Sequence, residues 1–433
     1  MNSRSIHREI LALSIPSIIA NITTPLLGIV DVAIVGNMGS AVYIAAIAVG
    51  STIFSMLYWP FAFLRMGSSG MTAQAYGAND NRQCTLVLYR SLAVALIVGI
   101  TIIAMQYAIS QCAFYFMGAT NDTLRFSEQY FSVGIWGAPA MLSSFALSGW
   151  FIGMQNSRAT MWISIFINLL NISTSLILVY IFDWGIIGVA TGTIVAQWGG
   201  FLLGLLIINQ KYHLASVSLS DILQKSELKR FFSINSDIFL RTLCLVAVTM
   251  WFTRAGTQQS DVILAVNTLL MQLFMLFSYF MDGFAYAGEA MVGKYIGAKD
   301  RLNLKTSIKA LFQWGLGMAI LFTMIYLFGG KSFLSLLSSD SMVINASTSY
   351  FYWAVAIPLC GFMAFTWDGI FIGATRTRAM LVSMGTAMVI FFAIFFILSP
   401  ILENHALWIA FLCYLIIRGV VLNIIYLRHQ LIP

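Results

Sequence analysis

Charged residues are scarce in this sequence. Only 9% of the 433 residues are Asp, Glu, Lys or Arg, whereas 60% are hydrophobic. Soluble globular domains carry about 25% charged residues, so the composition excludes an ordinary water-soluble protein. Uncharged runs of at least 21 residues separate Glu9 from Asp31, Asp31 from Arg65 and Arg90 from Asp122. A membrane-crossing helix needs about 20 mostly apolar residues, and these runs predict a helical membrane protein with several spans.

Motifs of soluble and intramembrane enzymes are also lacking. The five cysteines form no CxxC or Cys/His spacing, and they are interpreted as small packing residues. No HExxH, GxSxG or paired aspartate motif is present, and no filter-like stretch suggests a channel. Short alternating segments typical of a membrane barrel are missing as well. These absences favour a transporter over an enzyme and predict no cofactor.

Twelve spans are predicted, which makes the fold class an all-α integral membrane protein. The first span lacks an A-x-A-like cleavage site and is longer than a signal sequence, so we interpret it as a retained helix. The predicted spans cover about residues 10–35, 42–67, 87–110, 128–153, 160–182, 185–208, 232–253, 262–290, 308–329, 349–372, 379–400 and 405–427.

Basic residues are distributed unevenly between the segments that join the spans. With the amino terminus inside the cell, 17 of the 23 Lys and Arg residues lie in inner segments, and three lie in outer ones. Because cytoplasmic segments carry an excess of Lys and Arg, both termini are predicted to be cytoplasmic in an inner or plasma membrane. The same bias accounts for the net charge of +7 without a nucleic-acid partner.

The chain repeats itself at an offset of 220 residues. "AQAYGANDNR" (73–82) matches "GKYIGAKDR" (293–301), "GWFIGMQNSRA" (149–159) matches "GIFIGATRTRA" (369–379), and "IAAI" (44–47) matches "LAVN" (264–267). The repeat predicts two pseudo-symmetric six-helix bundles, 1–208 and 232–433, joined by a cytoplasmic linker at 209–231. Two such bundles around a central cleft suit alternating access by rocking. The GxxxG patterns in both halves are interpreted as close helix packing.

One face of the first span is polar or small, and it ends on a carboxylate. Steps of three and four residues along this span pass through Ser14, Ser17, Asn21, Thr24, Gly28 and Asp31. Such a stripe is predicted to face protein or a water-filled cavity, because lipid cannot satisfy it. Burial of a carboxylate favours its protonated form, so Asp31 is the candidate coupling residue. The alternatives are a wetted rim residue or a contact between helices.

Similar polar stripes mark the fifth and sixth spans. Asn168, Asn171 and Ser175 recur on one face of span five, and Thr193 and Gln197 lie in span six. Amide and hydroxyl groups can donate hydrogen bonds to an ionised carboxylate. The predicted coupling site comprises Asp31, Asn171, Ser175 and Thr193. The predicted substrate cavity draws on Asn21, Thr24, Asn168, Gln197, Asn267, Asp282, Asp368, Met271 and Met275.

The second half carries several intramembrane charges. Asp237 and Arg241, four residues apart, are predicted to pair within one helix. Asn267, Asp282 and Glu289 recur on one face of span eight, and Asp368 lies in span ten. Intramembrane carboxylates are functional candidates by default, although structural pairing competes here. Met271 and Met275 suit either an adaptable apolar cavity or simple packing.

The sequence resembles the multidrug and toxic compound extrusion (MATE) family, and within it the DinF-like branch. The resemblance rests on "NITTPLLGIVDVAIVG", "TAQAYGA", "DIFLRTL", "AVNTLLM", "DGFAYAGEA", "DGIFIGATR" and "NHALW", which span nearly the whole chain. It implies export of organic cations and other amphipathic compounds, driven by inward H⁺ or Na⁺ flow. It also implies that Asp31 is the protonation or cation site, with Asn171 and Thr193 beside it.

One position departs from the family pattern. Many relatives carry a second aspartate four residues after the asparagine of span five, where this chain has Ser175. A single carboxylate favours H⁺ over Na⁺ in the first half. Two alternatives stay open: a Na⁺-coupled exporter with its ion site in the second half, and a lipid-linked precursor flippase, for which Arg65, Arg241 and Arg254 could supply positive charge. The expected partners are a small amphipathic substrate and the bilayer, with the protein as a monomer.

Overall fold

The computed structural model describes residues 3–36, 41–117, 121–337 and 340–428, which are mostly helical and contain no strand. Two 3-10 turns, Trp59–Ala62 and Ile135–Gly137, join α2 to α3 and α6 to α7. The α-helices are α1 Ser3–Gly36, α2 Ala41–Tyr58, α3 Phe63–Gly77, α4 Asn81–Ala104, α5 Gln106–Met117, α6 Asn121–Gly134, α7 Ala138–Gly153, α8 Ser157–Tyr180, α9 Gly185–Lys211, α10 Leu219–Ile222, α11 Lys225–Gln259, α12 Asp261–Gly297, α13 Arg301–Leu337, α14 Ser341–Ser347, α15 Phe351–Gly373, α16 Thr377–Leu402 and α17 Asn404–Arg428.

The predicted class of twelve-span helical membrane protein is confirmed. Within the described residues, 11 helical segments after α1 are long and apolar enough to cross a membrane, and α1 adds a further helix of 34 residues. Several helices are longer than predicted: α3 continues to Gly77 and α12 to Gly297, where loops were expected. A helix can continue past its apolar span into polar sequence, because its backbone hydrogen bonds are formed within the helix itself.

The chain forms two compact units whose boundaries differ from the predicted ones. One unit comprises Met1–Ile18 and Arg230–Pro433, and the other comprises Ile19–Lys229. We call them the C-terminal unit and the N-terminal unit. The first half of α1 therefore belongs with the second half of the chain, not with residues 19–208. Most of the stretch 209–231, predicted as a cytoplasmic linker, is grouped with the N-terminal unit, which ends at Lys229.

Contacts of the first turns of α1 explain this grouping. Glu9 lies 2.5 Å from the Lys294 ammonium group and accepts a hydrogen bond from the Tyr295 hydroxyl. His7 accepts a hydrogen bond from the Trp314 indole at 3.1 Å. Further along, a Cβ atom on Gly283 would lie 2.3 Å from the Ile18 side chain, so α12 approaches α1 closely because this residue is glycine. The sequence periodicity of α1 gives no sign of this change of unit.

The segment before α11 is fixed to the start of α4. Arg90 is buried and donates hydrogen bonds to the carbonyl groups of Asp221 and Ile222, at 2.7 and 3.0 Å. Asn81 donates to the carbonyl of His213 at 2.7 Å. Because these bonds hold backbone carbonyls, the segment 212–224 is docked on the N-terminal unit although only a short part of it is helical.

The internal repeat is visible in the backbone of both units. Three pairs of non-glycine residues adopt a left-handed conformation at the repeat offset: Asn79 and Lys299, Gln155 and Thr375, and Asp183 and Glu403. Such residues are uncommon, so three matched pairs show that the connections were duplicated with the helices.

The predicted role of the GxxxG glycines is confirmed in both units. A Cβ atom on Gly149 would lie 2.1 Å from the Arg65 carbonyl oxygen, and one on Gly369 would lie 2.2 Å from that of Ala285. These carbonyls are also one repeat apart. The glycines allow α7 to touch α3, and α15 to touch α12.

Candidate functional site

The polar stripe of α1 is divided between the two units. Ser14 and Ser17 are buried in the C-terminal unit, where the Ser17 hydroxyl donates to the Leu13 carbonyl at 2.8 Å. Asp31 belongs to the N-terminal unit and is only 8% exposed. Asn21 is half-buried, and the side chain of Thr24 lies outside the described residues.

Three of the predicted coupling residues form a hydrogen-bonded group between α8 and α9. Asn171 is fully buried and donates from Nδ2 to the Thr193 hydroxyl at 3.0 Å, and Thr193 donates to the Val189 carbonyl at 3.1 Å. The Ser175 hydroxyl lies 3.4 Å from Asn171 Oδ1. A Cβ atom on Gly192 would lie 2.2 Å from the Ser175 hydroxyl, so glycine is what lets the two helices approach here.

Tyr130 of α6 connects this group to Asp31. Its side chain is buried and lies close enough to Thr193 and Asp31 to interact with both. The ring fits against Gly50 of α2, where a Cβ atom would come within 2.4 Å. Sequence reasoning missed Tyr130, because one tyrosine among 17 carries no pattern. We call Asp31, Tyr130, Asn171, Ser175 and Thr193 the polar cluster.

Asp31 has no positively charged partner in this cluster. Among the described residues none forms an ion pair with it, and its Oδ1 atom is buried without a hydrogen-bond partner. Tyr130 lies within electrostatic range of Asp31, and its hydroxyl can bond to either charge state of a carboxyl group. A buried carboxylate without a counter-charge is costly, and taking up one proton removes that cost.

Two further predicted cavity residues of the N-terminal unit have different surroundings. Asn168 donates to the Thr23 carbonyl of α1 at 2.9 Å and so ties α8 to α1. Gln197 has a buried Oε1 atom without a hydrogen-bond partner among the described residues. A Cβ atom on Gly137 would lie 1.9 Å from that oxygen, so the Gln197 amide packs directly against the backbone of the 3-10 turn.

Asp368 of α15 is held by two arginines in the C-terminal unit. Arg241 and Arg418 both donate from Nη2 to Asp368 Oδ2, the latter at 2.6 Å, and all three side chains are buried. The Arg418 guanidinium also lies 5.3 Å from the centre of the Tyr414 ring. We call Arg241, Asp368 and Arg418 the arginine–aspartate triad. It compensates the charge of Asp368 completely.

The predicted pairing of Asp237 with Arg241 is wrong. Asp237 accepts a hydrogen bond from the Thr377 hydroxyl at 3.1 Å and lies 3.5 Å from the Arg378 guanidinium. Arg241 reaches instead across to Asp368 on another helix. Helical spacing permits a local pair, but two nearly buried guanidinium groups here share a carboxylate distant in sequence, which spacing cannot reveal.

Asn267, a predicted cavity residue, is hydrogen-bonded within the C-terminal unit. It exchanges two amide hydrogen bonds with Asn404, at 2.8 and 2.9 Å, and accepts a third from the Trp408 indole at 3.0 Å. Both asparagines are buried. Their polar atoms are thus used within the unit, and the pair fastens α12 to α17.

The other predicted cavity residues of α12 are spread along the helix. Met271 packs against the core of the C-terminal unit, whereas Met275 is 40% exposed. Asp282 is half-buried and lies within electrostatic range of Arg418. Glu289 is buried. Asp282 is therefore the carboxylate of α12 that interacts with a member of the triad.

Comparison with known proteins agrees with this architecture. A family model described as MatE matches the chain twice, at residues 16–177 and 237–398, which correspond to the two halves of the repeat. DNA damage-inducible protein F of Escherichia coli is 36% identical over 424 residues, covering 96% of this chain and 91% of that protein. The probable multidrug resistance protein NorM of Photorhabdus laumondii is 25% identical over 354 residues, covering 78% and 75%.

A solved structure shares the fold. It is an outward-facing multidrug resistance MATE family transporter of the MOP superfamily, which matches with a TM-score of 0.88 and 20% identity over 98% of this chain and 96% of that one. The family model covers most of this chain, and the DNA damage-inducible protein F relative exceeds 30% identity over nearly its full length. The chain therefore belongs to the MatE family and is a multi-pass membrane transporter, not an enzyme.

Proposed function

We propose that the protein exports amphipathic organic cations in exchange for protons, as a monomer working by alternating access. The observation that carries this proposal is the environment of Asp31, a buried carboxylate with neutral neighbours and no counter-charge among the described residues. Family membership and the name of the multidrug resistance relative support the substrate class. In this mechanism Asp31 binds a proton on one side of the membrane and releases it on the other.

A proton suits the polar cluster better than Na⁺ does. One proton neutralises Asp31 fully, whereas a Na⁺ ion prefers several oxygen ligands. The cluster offers one full negative charge, and its Thr193 and Asn171 side chains already bond to each other. Ser175 supplies a neutral hydroxyl, so the cluster has no second carboxylate that would strengthen Na⁺ binding. These features favour H⁺ as the coupling ion.

The C-terminal unit has fewer carboxylates available to bind a coupling cation than the number of its acidic residues suggests. Asp368 is occupied by two guanidinium groups, which already supply the positive charge a Na⁺ ion would bring. Asp282 and Glu289 are the remaining acidic candidates of the alternative in which Na⁺ binds in this half. The flippase alternative loses support too, because Arg241 is committed to Asp368 and Arg254 stacks on Trp251 at 5.6 Å.

Substrate flux under each gradient alone tests the coupling. In proteoliposomes containing the purified full chain, we expect an imposed pH gradient to drive ethidium transport without Na⁺. A Na⁺ gradient at equal pH should add little. Liposomes without protein, and protein with the gradient collapsed by an ionophore, are the controls. Strong flux under Na⁺ alone, insensitive to substitution of Asp31, would contradict proton coupling through the polar cluster.

We further propose that both chain termini face the cytoplasm. The support is the distribution of Lys and Arg, of which only Arg125, Arg254 and Lys331 fall in outer segments. Single cysteines at positions 217 and 429 should react with an impermeant reagent only after the membrane is opened. Cysteines at 121 and 340 should react in intact cells. Labelling of position 217 from outside would show that the orientation is the opposite of the proposed one. The five native cysteines must first be replaced.

A further inference from the structure

The C-terminal unit contains a cavity of about 670 Å³. It lies where α11 ends and α12 begins, beside the start of α15 and the end of α16. Four aromatic side chains contribute to its wall, namely Trp251, Tyr350, Phe395 and Phe396, and Glu403 is its acidic lining residue. The volume falls in the range of roughly 300–1,000 Å³ that is usual for small-molecule sites.

The cavity lining includes the repeat counterparts of three polar-cluster residues, namely Trp251, Tyr350 and Phe395. At the offset of 220 residues, Trp251 corresponds to Asp31, Tyr350 to Tyr130, Phe395 to Ser175, Phe391 to Asn171 and Cys413 to Thr193. Glu403 corresponds to Asp183, and both have a positive φ, 47° and 54°. The two halves thus keep one architecture but fill this position differently. The first half holds a titratable carboxyl group, and the second half holds an aromatic-walled space.

Trp251 is the central wall of this aromatic cavity. Its ring contacts Phe395 and Phe396 edge-on, with ring centres 6.0 and 5.4 Å apart. The Arg254 guanidinium lies 5.6 Å from the Trp251 ring centre, so this ring already attracts a cation. The Trp251 Nε1 atom is buried and has no hydrogen-bond partner among the described residues. A donor left unpaired beside a cavity is available to a ligand acceptor or to water.

We propose that this cavity is a second binding site, which takes an organic cation with an apolar body. The aromatic walls hold the apolar body by burial and by cation–π attraction, and the Glu403 carboxylate attracts the positive charge. The proposal rests on the proposed export of amphipathic cations and assigns them a place in the C-terminal unit. The same chemistry would accept the ammonium head of an aminolipid, so the occupant is defined as a cationic amphipath from either source.

Equilibrium binding of tetraphenylphosphonium to the purified full chain in detergent tests the site. Trp251→Ala should weaken binding roughly 5- to 30-fold, because it removes a cation–π partner and part of the wall. Glu403→Gln should weaken it by a similar factor, and Phe395→Ser should also do so because it restores the residue of the first half. Trp184→Ala and Asp183→Asn are the matched controls, since both residues are exposed in the other unit, and binding should stay within about twofold.

Two further arms make the result decisive. Binding is repeated with Asp31→Asn protein, which should retain the cavity, and in nanodiscs with and without phosphatidylethanolamine. If phosphatidylethanolamine competes with tetraphenylphosphonium, the occupant is an aminolipid. If phosphatidylethanolamine does not compete, the occupant is the transported cation. Glu403 is exposed, so Glu403→Gln tests the site even if Trp251→Ala does not fold.

Unchanged tetraphenylphosphonium affinity in Glu403→Gln and Phe395→Ser overturns the proposal. Proton-driven ethidium flux persisting in that case leaves the proposed function intact, whereas pocket-dependent binding without any flux overturns the function alone.

Discussion

Replacing Asp31 by Asn should abolish transport driven by a pH gradient while leaving the protein folded. Asparagine has nearly the same shape but cannot take up a proton, so the cycle loses its coupling step. The substitution also removes a buried charge whose Oδ1 atom has no hydrogen-bond partner among the described residues, so thermal stability should be unchanged or slightly higher. The measurement is ethidium flux in proteoliposomes under an imposed pH gradient, with thermal unfolding of the same preparation.

Two companion variants sharpen this test. Asp31→Glu keeps a titratable group and should retain partial transport. Asp122→Asn changes an exposed aspartate of the same unit and should transport at the wild-type rate. Normal pH-dependent flux in Asp31→Asn would remove Asp31 from the mechanism, whereas loss of folded protein would assign it a structural role between helices.

Asp31 could be found from sequence because a carboxylate in an uncharged run is conspicuous. Asn171, Ser175 and Thr193 could be found because polar residues at helical spacing mark a face. In the structure, Asn171 is hydrogen-bonded to both Thr193 and Ser175. Tyr130 could not be found, since its role comes from its distance to Thr193 and Asp31 and not from any local pattern.

Partners distant in the chain account for the incorrect predictions. Arg241 pairs with Asp368 and not with Asp237, and Asn267 pairs with Asn404 in another helix. The first turns of α1 also have partners distant in sequence, because Glu9 contacts Lys294 within the C-terminal unit. Periodicity reports which face of a helix is buried, but it does not report what that face meets.

The fold was predictable further than the site because the chain is duplicated. The 220-residue offset located both halves, and the matched left-handed residues and glycine contacts bear it out in detail. Comparison of the side chains at this offset shows where the two halves differ. The position of Asp31 in the first half is occupied by Trp251 in the second, and the buried aspartate of the second half is compensated by arginine.

Replacing Asp368 by Asn should destabilise the C-terminal unit strongly. The change leaves the nearly buried guanidinium groups of Arg241 and Arg418 facing each other without their shared carboxylate. Removing one partner of a buried ion pair costs about 3–5 kcal/mol, so thermal unfolding in detergent should shift to clearly lower temperature. Replacing all three residues, as Arg241→Met, Asp368→Leu and Arg418→Met, should recover most of the stability, because apolar groups can substitute for a complete buried ionic group.

Asp237→Asn is the matched control for this prediction. Asp237 bonds to Thr377 and to the mostly exposed Arg378, and exposed pairs contribute about 0–1 kcal/mol. Its unfolding temperature should therefore stay near that of the wild type. The experiment also separates the triad from a cation site. If Asp368 bound the coupling ion, Asp368→Asn would abolish Na⁺-driven flux with little change in stability, and added Na⁺ would stabilise the wild type but not the variant. A large loss of stability that is independent of Na⁺ is the result expected of a carboxylate whose counter-charges are already built into the protein.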